Sequence, residues 1–203
     1  MKRVYLFLFL ILCVIAGSFL GRQATHQVLP AYTSTNQNAI PSAMPSTMHT
    51  IQNSTVGMPI TLEIPKIHVN AQIEKVGLDA QQRMDIPKTN QDVGWYSLGF
   101  KPGDNGNAVI DGHFDTVTGA PAVFYTIPKL ENGDSIIVTD TEKHKYTFLV
   151  SKKLTYQYNQ VPMQKVFGPS NTPHVNLITC GGTWDKNAKN YSERTVVSAD
   201  LQR

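Results

Sequence analysis

From Met58 to the C-terminus the chain never sustains an apolar pattern for longer than a short strand, and that punctuation limits its fold more than any other feature. Stretches such as "ITLEI", "VNAQIEKV" and "NAVIDG" alternate apolar and polar residues and are closed by Gly, Pro, Asn or Asp. A period of two puts one face of a strand in a core and the other outside it. Candidate strands are Ile60–Ile64, Val69–Val76, a third ending near Gly112, "DSIIVTD", "KYTFLVSKKLTY", "HVNLITC" and "RTVVSADL". The "TEKH" between the fourth and fifth predicts a hairpin. Helical periodicity is confined to Pro121–Leu130 and a turn near Met163–Phe167. So many short strands in one segment of ordinary domain size predict an all-β fold, a closed or nearly closed barrel. The sequence holds no internal repeat, no P-loop and no GxGxxG.

The N-terminus is of a different kind. Lys2 and Arg3 precede Val4–Gly21, a run without a single charge. As a helix it would be roughly 27 Å long, close to the thickness of a bilayer core. Ala16-Gly17-Ser18 resembles a signal-cleavage site, but the apolar run continues past it, which favours an uncleaved anchor. The basic pair orients such an anchor with its N-terminus in the cytoplasm and the rest of the chain outside. Residues 22 to 57 are rich in Ser, Thr, Asn, Gln, Pro and Ala, with Arg22 the only Lys, Arg, Asp or Glu among them. That composition buries too little apolar surface to offset chain entropy, so the segment reads as a flexible stalk. Its coil dimension would be about 35 Å and its full reach roughly 120 Å. The expected organisation is therefore an anchor over 1–21, a stalk over 22–57 and a β domain over 58–203.

The formal net charge of +3 is mild, and no basic stripe interleaves with aromatics, which argues against nucleic acid as a partner. The two cysteines, Cys13 and Cys180, fall in the apolar run and the β domain. No disulfide framework, CxxC or zinc spacing is readable, and no metal or other cofactor is implied.

Three residues of the β domain share a setting: His113 after the "NAVIDG" strand, Cys180 at the end of "VNLIT" and Arg194 at the start of "RTVVSADL". If the last two strands pair antiparallel, Cys180 and Arg194 become cross-strand neighbours about 5 Å apart. His113 can join them only through the tertiary fold. The chemistry of such a trio is acyl transfer through a thioester. An imidazolium favours the thiolate of a cysteine whose pKa is ordinarily about 8.5 and later protonates a leaving amine. A permanently charged guanidinium can stabilise the oxyanion of the tetrahedral intermediate. Singly, each residue also has a plain structural reading: a small core thiol, a surface imidazole, a solvated arginine. His68, His144 and His174 lie in charged or proline-adjacent turns. Asp111 and Asp115 flank His113, where they could orient it or cap turns.

These stretches resemble a known family. "NLITC" is similar to the TLxTC signature of sortases, with Leu177, Thr179 and Cys180 matching; "AVIDGHFDT" resembles their histidine segment and "YSERTVVSADL" their arginine strand. "DVGWYSLGFKPGDNGNAVIDGH", parts of "AVFYTIPKLENGDSIIV" and "TCGG" look most like class F sortases. The resemblance implies an eight-stranded β-barrel with Cys180 as nucleophile, His113 as general acid/base and Arg194 as oxyanion and substrate stabiliser. Thr179 would help shape the substrate pocket. It further implies secreted partners bearing a C-terminal Leu-Pro-x-Thr-Gly-like sorting signal, a cell-wall amine such as a peptidoglycan precursor as acceptor, and no calcium dependence. The long stretch Gln157–His174 is the expected site of part of the motif-binding groove. Two other readings stay open: a cysteine protease that hydrolyses, and an inactive membrane-tethered β-barrel that binds peptides.

Overall fold

The computed structural model describes residues 55–203. The expected anchor and most of the expected stalk lie outside the described residues. Eight strands close into one barrel: β1 (Pro59–Ile64), β2 (Val69–Val76), β3 (Val93–Tyr96), β4 (Gly106–Gly112), β5 (Ser135–Asp140), β6 (Lys145–Gln157), β7 (Pro173–Asp185) and β8 (Asn190–Leu201). Around the barrel they run β1-β2-β3-β4-β7-β8-β6-β5, with β1 paired to β5. Two neighbour pairs are parallel, β2–β3 and β4–β7; the others are antiparallel.

The interior is filled by the inward positions that the alternation predicts. Leu62, Ile64, Ile110, Phe148, Leu177 and Val197 are fully buried there. Each such side chain contributes about 1.5–3 kcal/mol relative to exposure. A second, smaller cluster lies on the outside of the barrel: Val109, Val166 and Val196 with Tyr96, Tyr156, Phe167 and Ile178 against them. It forms because the short helix α1 (Met163–Phe167) lies on the outer face of β4. Asn176 fixes it there, its Nδ2 donating to Val166 O at 2.8 Å, and Asn107 Nδ2 donates to Gly168 O at 2.8 Å.

Three features differ from the expectations. The short β3, "VGWY", is an eighth strand with no alternation long enough to announce it. Pro121–Leu130 is not a helix; only a 3-10 turn forms over Ile127–Lys129, in a segment that Pro121 and Pro128 interrupt. The stretch between Cys180 and Arg194 is not a loop: β7 and β8 extend to Asp185 and Asn190 as a long hairpin. Its register shifts between Gly181 and Trp184, where Gly182 takes φ of +75°.

Candidate active site

Cys180 and Arg194 are direct cross-strand partners on β7 and β8. β4 runs parallel to β7 with Ile110 opposite Leu177 and Asp111 opposite Ile178. The register ends there; His113 is the first residue after β4, two positions beyond Asp111, as Cys180 is two positions beyond Ile178 on β7. Cys180 and Arg194 thus hold outward positions of one face on the adjacent strands β7 and β8, and His113 directly follows β4, the strand next to β7. That face has two halves: α1 covers its apolar half, and the polar half carries Asp111, His113, Cys180 and Arg194.

Thr179 is turned the other way. It is 2% exposed, and its Oγ1 donates to Gly112 O at 2.8 Å. Its side chain ties the strand of the cysteine to the residue before His113 instead of lining a pocket. Sequence reading gave Thr179 a part in shaping the substrate pocket but could not tell which face of the strand it occupies.

His113 and Arg194 are already engaged. His113 Nε2 lies 3.0 Å from Pro87 O, in the segment between β2 and β3. His113, Pro87, Asp85, Lys88, Val76 and Glu74 line a cleft of about 690 Å³. Arg194 Nη2 donates to Asn190 Oδ1 at 2.7 Å, and its Nη1 to Glu193 O at 2.8 Å and Tyr191 O at 3.2 Å. Cys180 is partly exposed, and its thiol is pushed up from the ordinary range. Burial is the main cause; Arg194 opposes it, while Asp111 and Asp115 add to it. The sulfur therefore rests as a thiol at neutral pH, and a base that takes its proton is needed to form the thiolate.

The surroundings include residues that sequence reading missed. Tyr191 donates its hydroxyl to Asp115 Oδ2, and chiefly for that reason its own ionisation is pushed up to about 12. Its ring meets Trp184 with centroids 5.2 Å apart and Phe114 at 5.7 Å. Asp115 is thus drawn toward β8 and not toward the imidazole. Pro87 and Asn190 carried no sequence signal, because each acts through a contact between segments far apart in the chain.

The other histidines among the described residues lie elsewhere. His174 sits at the opposite end of β7, about 20 Å from Cys180 along the strand, where Nδ1 meets Asp200 Oδ1 at 2.7 Å. His144 belongs to the β5–β6 hairpin. Among the described residues, only Asp140, Glu142 and His144 bring three ligand atoms within 4.8 Å of one another. The Asp140 oxygens there already accept hydrogen bonds from the backbone N–H groups of Gly57 and His144 and from the Tyr146 hydroxyl, as in an ordinary turn network.

Comparison with known proteins bears on the family and the fold. A family model described as a sortase domain matches residues 62–202. The fold is similar to sortase C1 of Streptococcus agalactiae in complex with MTSET, at 19% identity and a TM-score of 0.55, covering 71% of this chain and 67% of that one. It is similar to sortase C-1 of Actinomyces oris at 20% identity and 0.56, covering 71% of each chain. Sortase A of Corynebacterium diphtheriae matches at 19% and 0.55, covering 73% of this chain and 62% of that one. No curated protein matches the sequence significantly. The barrel, the order of its residues and the family match over most of its length agree: the chain belongs to the sortase family, whose members are cysteine transpeptidases.

Proposed function

We propose that this chain is a membrane-anchored sortase of the class F kind. It cleaves a C-terminal Leu-Pro-x-Thr-Gly-like signal on secreted proteins and passes the acyl group to an amine of the cell wall. The observation that supports the reading is the register that sets Cys180 opposite Arg194, with His113 directly after β4, the strand paired to β7.

In this reading His113 leaves the Pro87 carbonyl and takes the thiol proton. Sγ of Cys180 attacks the threonine carbonyl carbon, forming the S–C bond and an oxyanion. Arg194 exchanges one of its turn partners for that oxygen, a stabilisation strongest where water is excluded. Collapse breaks the Thr–Gly C–N bond, and the leaving amine takes its proton from His113. An acceptor amine then attacks the thioester, gives a proton to His113 and forms the new amide as the C–S bond breaks. Tethering the catalyst and its substrates to one membrane raises their effective concentration.

The test uses the full chain in detergent micelles with a fluorogenic Leu-Pro-x-Thr-Gly peptide, with and without a glycine-based or diamino-acid amine. The expected result is amine-joined product that disappears in Cys180→Ala and falls by at least about a hundredfold in His113→Ala, the usual scale of general acid–base catalysis. Cleavage without joining would identify a cysteine protease. No cleavage and no thioester on Cys180 would identify a binding module.

A further inference from the structure

One ionisable group on the catalytic face takes no part in these steps. Asp111 projects outward from β4, one outward position before His113. Its partner on β3 is Gly94, where a Cβ would stand 3.0 Å from Asp111 Oδ1. The carboxyl occupies the space that a glycine leaves open. Part of the residue remains accessible, but Oδ1 is sealed from solvent and has no hydrogen-bond partner. Among the described residues it is the one buried side-chain oxygen or nitrogen in that condition. An unpaired buried polar group costs about 1–3 kcal/mol, so its persistence calls for a reason.

The charges around it supply one. Burial pushes the Asp111 carboxyl up to about 8; Asp85, from the segment after β2, adds to this, and Arg194 on β8 opposes it. Asp111 in turn raises the thiol of Cys180. His113 follows two residues on, just past the end of β4, while Lys165 of α1, the helix packed on β4, lines a separate cleft beside Asn107. Acyl transfer develops negative charge twice, on the sulfur and on the acyl oxygen. An ionised Asp111 opposes both and competes for the guanidinium; an uncharged one does neither.

We propose that Asp111 is a positioning residue of the acyl-transfer site: uncharged over Gly94 it leaves Arg194 to the acyl oxygen, and on losing its proton it draws the guanidinium and suppresses the Cys180 thiolate. The acyl step rests on the sortase reading; the effect on the thiol does not.

The test follows alkylation of Cys180 by iodoacetamide against pH, in the full chain in detergent micelles carrying Cys13→Ser, with the adduct measured by mass spectrometry. The wild-type rate should rise with pH but bend near pH 8 as Asp111 ionises. Asp111→Asn should lose the bend and react several-fold faster than wild type at about pH 9. Asp111→Glu should keep an inflection. Superimposable profiles for wild type and Asp111→Asn overturn the proposal, as does an Asp111→Asn variant that is slower at every pH. With the sorting peptide as substrate, the alkaline limb of kcat should move to higher pH in Asp111→Asn while KM changes little. If wild type turns over no peptide while the alkylation bend and its loss in Asp111→Asn are seen, the sortase reading fails and the assignment of Asp111 to the thiol stands.

Discussion

In the proposed chemistry Cys180 is a thiol that must be activated, not a standing thiolate, and the residues that matter around it are those that move charge or hold a strand end. Thr179 is the clearest of the second kind. Thr179→Val removes the donor to the buried Gly112 carbonyl and leaves that acceptor unpaired, for a loss of about 1–3 kcal/mol of stability in urea unfolding. Because Gly112 carries His113, kcat in the peptide assay should fall more than KM rises. Asp111 makes a separate prediction about stability. Its carboxyl is protonated in the folded chain up to about pH 8 but ionises in the unfolded chain near 4. Between those values the folded state holds a proton that the unfolded state has lost, so stability falls as pH rises through that window and levels off above it. Asp111→Asn removes this slope. The melting temperature of the variant should exceed that of wild type by a few degrees at about pH 8 and approach it near pH 4.

The β5–β6 hairpin shows how a turn is fixed by one carboxylate. Burial works to raise Asp140, but hydrogen bonds from His144, Gly57 and Tyr146 outweigh it and hold the group below the ordinary carboxylate range. That stabilisation is present above the unfolded pKa of about 3.9 and is lost as pH falls through the lower folded value. Asp140→Asn should cost about 1–3 kcal/mol in urea unfolding at neutral pH, with the difference from wild type shrinking in acid. This hairpin was legible in the sequence because alternation and turn residues are local signals, and so was the pairing of Cys180 with Arg194, which chain connectivity alone suggests. β3 was not legible: four residues contain barely two alternations, and the strand exists because β2 and β4 flank it. The extension of β7 and β8 was hidden by Gly181, Gly182 and the Asn/Lys-rich tip, which read as loop until the bulge is seen. The place of His113 depends on the parallel β4–β7 pair, made by strands more than 60 residues apart. No period in a sequence encodes such a contact, so the candidate trio could be written down but not assembled.

The order of strands around the barrel also decides how a tethered enzyme would present its site. In the closed order β1-β2-β3-β4-β7-β8-β6-β5, β1 and β7 are four places apart in either direction, on opposite sides of the barrel. The chain enters the barrel at β1, where Gly57 N donates to Asp140 Oδ2 at 3.1 Å and Thr141 N to Met58 O at 2.9 Å. The strand at which the described chain enters the barrel is therefore the one farthest around it from the strand of Cys180. The anchor proposed for residues 1–21, with Lys2 and Arg3 on the cytoplasmic side, would put the barrel outside the cell. A membrane-impermeant maleimide applied to intact cells producing the full chain should label Cys180, and Cys180→Ser should abolish the label, since Cys13 would lie within the apolar span. Labelling that appears only after the cells are permeabilised would place the barrel on the cytoplasmic side and overturn the proposed orientation. The same result would remove secreted proteins and cell-wall amines from its reach.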